Sequence, residues 1–202
     1  MKLYFAPGAC SLSAHIALRE AGAGFDLEQV DLAAKRTKSG ADFRAISPMG
    51  YVPALQLDDG SVMTEASVIA QYVADTNPAA KLAPAAGSKE RYALMGWLNF
   101  IATELHKGFG PLWKPTTPDA YKETVKETLA ARFDFLTKQL GDKPYLTGER
   151  FTIADGYLFT VLNWSNFLKL DMSRWPTLQA FMARVAARPA VQAALKAEGL
   201  VK

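Results

Sequence analysis

Met1-Lys2-Leu3-Tyr4-Phe5-Ala6-Pro7-Gly8-Ala9-Cys10-Ser11-Leu12-Ser13 carries the chain from a strand-like start (Lys2 to Phe5) through the turn Ala6-Pro7-Gly8 into a helical pattern beginning near Ser11. The only cysteine of the 202-residue chain, Cys10, sits at that junction. A helix start presents unpaired backbone N–H groups and the positive end of the macrodipole, and both lower a cysteine pKa from about 8.5. Apolar burial does the opposite, and a lone cysteine is ordinarily a small buried hydrophobe. Here the turn context favours thiol chemistry. Cys10-Ser11-Leu12-Ser13 has the spacing of a Cys-x-x-Cys motif with the second sulfur replaced by a hydroxyl, and with one cysteine no internal disulfide can form.

Beyond this stretch, residues 1–77 alternate short strand and helix signals: strand 2–5, helix 11–22, strand 25–32, a helical or looped stretch 38–45, strands 54–57 and 61–64, and helix 65–76. Asp58-Asp59-Gly60 between two apolar runs predicts a tight hairpin. Pro53, just ahead of the third strand signal, belongs at a strand's first residue, at an edge, or in a cis peptide bond. Residues 78–87 hold two prolines and a glycine with little periodicity and read as a linker. After it, residues 88–202 are helical. One helix capped by Ser88 runs to about Gly108, and another spans Asp119 to Leu140 with Tyr121, Val125, Leu129, Phe133, Leu136 and Leu140 on one face. Thr152-Ile153-Ala154-Asp155 resembles a capping box with Asp in the Glu position. At Gly156, where a hydrophobic staple to Phe151 would end, glycine in a helix interior costs up to about 1 kcal/mol, so Gly156→Ala is expected to raise the melting temperature.

Composition narrows the class. With 50% hydrophobic and 21% charged residues the chain is an ordinary soluble globular protein. One cysteine and two distant histidines, His15 and His106, argue against a metal site, and a reducing, cytoplasmic location fits best. The net charge of +3 is dispersed rather than gathered into a basic run, so nucleic acid is a poor partner. No apolar stretch is long enough for a membrane span.

A small α/β domain with its thiol after strand one and a proline before strand three, followed by an all-helical domain, resembles the cytosolic glutathione transferase fold. Its first domain is thioredoxin-like. Pro7-Gly8-Ala9-Cys10-Ser11-Leu12-Ser13, Val52-Pro53-Ala54-Leu55, Thr64-Glu65, Trp97-Leu98-Asn99-Phe100, Glu104-Leu105-His106-Lys107-Gly108 and Phe151-Thr152-Ile153-Ala154-Asp155 look like its bacterial beta class. The resemblance implies a thioredoxin-like glutathione-binding domain at 1–77, the linker 78–87, and an all-α domain at 88–202 carrying the electrophile site.

It also implies roles. Cys10, assisted by Ser11 and His106, is the expected catalytic group. The proline matching Pro53 is cis in the family, so that the Val52 backbone can pair with the tripeptide as an added strand. Glu65 and Ala66 lie at a helix start suited to the γ-glutamyl carboxylate and amine. Lys35 is expected at the glycine carboxylate, with Arg36 and Lys38 as competitors. Asn99, Thr103 and His106 recur at i, i+4 and i+7 as one polar stripe; within it and beside it, Asn99, Thr103, Glu104 and Lys107 complete the glutathione set, Asn99 and Glu104 reaching a partner subunit's glutathione. Phe109, Trp113 and Trp164 are the candidate electrophile surface, with core packing as their ordinary alternative. Tyr4 and His15 are plausible catalytic residues by type, but the motif points to Cys10 instead, and Tyr4 is expected to pack.

The implied activity is conjugation of glutathione, a co-substrate, to small hydrophobic electrophiles, in a cytoplasmic homodimer without metal. Glutathione-dependent disulfide exchange or reductive dehalogenation through a Cys10 mixed disulfide is the alternative, and a non-catalytic binding module is the third.

Overall fold

The computed structural model describes residues 1–201. Its sheet has five strands in the order β3-β2-β1-β4-β5. β1 (Lys2–Phe5) lies at the centre, parallel to β2 (Asp26–Asp31) and antiparallel to β4 (Ala54–Gln56). β5 (Val62–Thr64) closes a hairpin with β4, and the two-residue β3 (Arg36–Thr37), which the sequence pattern is too short to reveal, extends the far edge antiparallel to β2. The stretch 38–45, expected to be helical or looped, holds a 3₁₀ turn at Phe43–Ala45 and a bridge from Asp42 to Arg36. Gly60, at φ +87°, makes the β4–β5 turn, with Ser61 N–H and Oγ–H both donating to Asp59 Oδ1.

α1 (Ser11–Glu20) packs against α2 (Ala66–Thr76) and also against α6 (Ile153–Leu162) and α9 (Pro189–Ala197) of the helical half. Every residue from Ser11 to Leu18 is buried, because the helix is covered on all sides. α6 is likewise buried along its whole length. Against it pack α3 (Lys89–Phe100) and α8 (Pro176–Ala186), and α5 (Asp119–Leu140) packs in turn on α8. From α3 the chain continues without a break through a π-helical turn, Ile101–His106, into α4 (Lys107–Phe109). The short α7 (Trp164–Phe167) follows α6. On α5, Val125, Leu129, Phe133, Leu136 and Leu140 face the core, whereas Tyr121, expected with them, is exposed in the first turn.

One hydrophobic core runs through both halves, joining Leu12, Ile16, Ile69 and Val73 to Leu94, Leu158, Phe181 and Val191. Residues 78–87 are a packed strap rather than a free tether: Leu82 is buried, and its C=O accepts the Ile153 N–H at 3.0 Å. Arg91 reaches back across the strap to both carboxylate oxygens of Asp75, at 2.7 and 2.8 Å.

Candidate functional site

The β1–α1 turn, the loop before β4, the start of α2 and the end of the π turn converge on a cleft of about 620 Å³. Its walls include Cys10, Lys35, Val52, Pro53, Glu65 and Ala66 from the sheet half and His106, Lys107 and Tyr157 from the helical half. This volume is typical of a small-molecule site.

Each wall has a local cause. The Val52–Pro53 peptide bond is cis, and Val52 C=O accepts the Cys10 Sγ–H at 3.1 Å. Glu65 precedes α2 at φ +68°, a backbone region unfavourable for a residue with a side chain, and such conformations concentrate at functional sites. The Val68 and Ile69 N–H groups are taken by Glu65 C=O, which leaves the Ala66 and Ser67 N–H groups without a partner among the described residues. Lys35 also holds a positive φ, +54°, and its Nζ donates to Gly50 C=O at 2.9 Å beside the Tyr51 ring. Arg36 instead bonds Gly40 C=O, and Lys38 lies outside the cleft beside β2, which singles out Lys35 among the three cations.

The electrostatics of Cys10 reverse the expectation drawn from its helix-start position. Burial pushes its pKa up to about 12; the backbone N–H groups at the start of α1 and Lys107 pull it down by less, and Glu65 adds to the rise. Cys10 is therefore a neutral thiol that donates to Val52, because desolvation outweighs the helix end. Ser11 is also not where a catalytic role needs it. It is fully buried, with its Oγ bound to both the N–H and the C=O of Ala6 at 3.2 Å, so it fastens the turn from the core side.

His106 stands against Tyr157, with Nδ1 and the Tyr157 hydroxyl 2.7 Å apart, and against the Trp164 ring at 5.0 Å. Burial, and secondarily the charge of Lys107, lower its pKa to about 4. A neutral imidazole with one nitrogen committed to Tyr157 keeps the other for a ligand. Tyr157 itself, its ionisation opposed by burial, stays a phenol. Sequence reasoning missed it, since Tyr157 sits in the run Tyr157-Leu158-Phe159 that reads as core.

The stripe Asn99, Thr103, His106 does not hold together. The π turn breaks the 3.6-residue period it assumed, and of this region only His106 and Lys107 enter the cleft. Thr103 Oγ1–H folds back onto Asn99 C=O, Asn99 is exposed, and Glu104 pairs with Arg132 at 2.7 Å. Of the three electrophile candidates, Phe109 is fully buried and packs behind Trp164, and Trp164 is itself buried with its indole N–H on Gly8 C=O. Both are therefore corrected to core residues. Trp113 alone is exposed, its ring 6.0 Å from that of Trp164. Tyr4 packs on Phe43 and His15 is enclosed. Among the described residues no cluster of three or more His, Cys, Asp or Glu side chains is placed to hold a metal ion.

A thiol at the start of α1, a cis-proline backbone facing it and an acidic residue opening α2, all roofed by helices, define the class: a thioredoxin-like sheet half joined to a helical half, with a cleft of small-molecule size between them. Residues 8–76 match the family description "Glutathione S-transferase, N-terminal domain" and residues 100–189 match "Glutathione S-transferase, C-terminal domain". The chain is 51% identical to glutathione S-transferase GstA of Escherichia coli O157:H7, with 99% of this chain and 100% of the relative covered. It superimposes with a TM-score of 0.96 on a sphingomonad glutathione S-transferase complexed with glutathione (47% identical) and on the bacterial beta-class enzyme of Sphingomonas chungbukensis (48% identical), each over the full length of both chains. The protein belongs to the glutathione S-transferase family.

Proposed function

We propose that the protein conjugates glutathione to small hydrophobic electrophiles. The observation that carries this reading is the convergence of Cys10, the cis Val52–Pro53 bond, Glu65 at the start of α2 and His106 on one cleft. The tripeptide lies against Val52, whose N–H donates to no group among the described residues. Its γ-glutamyl carboxylate takes the Ala66 and Ser67 N–H groups, its amine takes Glu65, and its glycine carboxylate takes Lys35.

The glutathione sulfur then meets Cys10, the N–H groups of α1 and Lys107. A fall of two pKa units corresponds to about 2.7 kcal/mol of thiolate preference, within reach of a cation and a helix end acting together in a partly dry site. His106, with a pKa near 4, is a poor holder for the released proton, which passes to solvent; the imidazole serves as a fixed hydrogen-bonding group. The thiolate forms a bond to the electrophilic carbon, and the leaving group departs with its electron pair. Trp113, exposed and edge-on to Trp164, is the surface offered to the electrophile.

Disulfide exchange through Cys10 is not favoured, since a thiol with a pKa of about 12 is scarcely ionised at neutral pH. A homodimer in the cytoplasm completes the reading. Tyr92 and Met95 are exposed on the same outer face of α3 as Asn99, a surface suited to a second copy, and no helix among the described residues is long and apolar enough to cross a membrane.

Calorimetric titration with glutathione, and a panel measuring conjugation, peroxide reduction and disulfide reduction in wild type and Cys10→Ala, test the assignment. Conjugation retained within about tenfold in Cys10→Ala supports it. Absence of glutathione binding, or disulfide reduction as the main activity and lost in Cys10→Ala, overturns it.

A further inference from the structure

Gly8, two residues before Cys10, is gripped from the other end of the chain. Its N–H donates to Glu198 Oε2 at 2.9 Å and its C=O accepts the Trp164 indole N–H at 2.8 Å. At φ +70° it adopts a backbone that favours glycine, and a Cβ there would meet Phe167 Cζ at 3.2 Å and Leu200 Cδ2 at 3.6 Å. Both polar groups and the α-carbon of this turn residue are therefore held by residues 164–200 rather than by the sheet half that contains it.

Glu198 is placed for this. Its side chain has no exposed surface, and neither does that of His15, whose Nδ1 lies 2.9 Å from Glu198 Oε1. Arg19 Nε–H, an obligate donor, bonds His15 Nε2 at 3.3 Å. Nε2 thus carries the lone pair and Nδ1 carries the proton, so a neutral imidazole relays between the buried carboxylate and a guanidinium at the surface. Both carboxylate oxygens are committed, one to the turn and one to the helix that follows it. A buried charge is retained only where its partners are in place.

We propose that Glu198 is a positioning residue for catalysis. By holding the Gly8 N–H, and being held in turn by His15, it fixes the turn that presents Ala9 and Cys10 to the cleft. The consequence for conjugation rests on the reading of that cleft as the glutathione site. A displacement of about 1 Å in such a turn is enough to cost up to about a hundredfold in rate.

The test compares wild type with Glu198→Ala, Glu198→Gln and Val185→Ala, the last removing buried volume from α8, which supplies none of the groups that hold Gly8. Gln keeps an acceptor for Gly8, and its amide N–H can donate to His15 once the imidazole changes tautomer and releases Arg19. All are assayed at a temperature where circular dichroism shows them folded. For Glu198→Ala, kcat for conjugation is expected to fall about tenfold or more, while Glu198→Gln stays within about threefold and Val185→Ala loses melting temperature without losing kcat. Alkylation of Cys10 by iodoacetamide, which needs no glutathione, is expected to be faster in Glu198→Ala than in wild type and unchanged in Val185→Ala. Should Glu198→Ala not fold, Glu198→Met carries the same comparison. Wild-type kcat and alkylation rate in the folded Glu198 variant, or equal losses in Val185→Ala, overturn the proposal. Should wild type fail to bind glutathione in the calorimeter, the functional reading falls, and the alkylation rates alone decide the positioning role.

Discussion

At the scale of the residue, solvation decides what position alone leaves open. Cys10 stands where a helix end favours a thiolate, yet burial prevails and the thiol donates to Val52. His106 is governed by the same force with the opposite consequence for charge, since burial keeps an imidazole neutral. Its folded pKa of about 4 lies below the ordinary 6.5, so the unfolded chain binds this proton more readily than the native protein. The stability His106 contributes is therefore fully present above pH 6.5 and is lost as pH falls through about 4. His106→Gln, which keeps a polar partner for Tyr157, removes that dependence. The melting-temperature advantage of wild type over His106→Gln is expected to be smaller at pH 5 than at pH 7.5, and an advantage independent of pH would contradict the neutral assignment. The residue types of this site were legible as Cys10, Glu65, Lys35 and His106 because each stood in a motif or at an element boundary. Tyr157 was not, because a tyrosine within an apolar helix carries no mark that its hydroxyl meets a histidine 51 positions earlier.

At the scale of the element, period and capping were the legible signals. The Thr152–Asp155 box forms as its spacing predicts: Thr152 N–H and Oγ1–H both donate to Asp155 Oδ2, and Leu146 N–H donates to Oδ1. Propensity misled at the next position. Gly156 is buried in the crossing of α6 with α1, and a Cβ there would meet Ile16 Cγ2 at 3.2 Å and Phe151 Cζ at 3.4 Å. The helix-propensity gain of up to about 1 kcal/mol is opposed by overpacking of about 1–3 kcal/mol. Gly156→Ala is therefore expected to lower the melting temperature, not raise it. Ile16→Leu deletes the Cγ2 branch at constant volume, so in the double variant much of that loss should be recovered. Additive losses in the four-variant cycle would remove Ile16 as the cause. The π turn is the other element-scale surprise, since nothing in Ile101-Ala102-Thr103-Glu104-Leu105-His106 marks a wider helix, and it is this turn that separates His106 from Asn99 and Thr103.

At the scale of the whole molecule, the two halves are distinct in secondary structure but not in core. The end of the strand signals was readable, because the last of them falls at residues 61–64 and only helical patterns follow; how tightly the halves join was not, because the joining contacts come from residues far apart in sequence. Gly8 and Glu198 are 190 positions apart, and Arg188 binds Glu20 through two hydrogen bonds of 2.6 and 2.8 Å over a separation of 168. α1 is the shared element. Its residues Leu12, Ala14, Ile16 and Leu18 are all but inaccessible in the whole protein, and α6 and α9 supply much of that cover. Removing the helical half strips those residues of partners at about 25 cal/mol per Å² of newly wetted apolar surface, a loss a unit of fewer than 80 residues can hardly bear. The fragment 1–77 is therefore expected to show no cooperative thermal transition and to bind a hydrophobic dye, whereas the full chain melts in one step with coincident far-UV and near-UV signals. A fragment that melts cooperatively by itself, or a full chain with two separated transitions, would mean that the sheet half carries its own sufficient core and that the helical half merely rests on it.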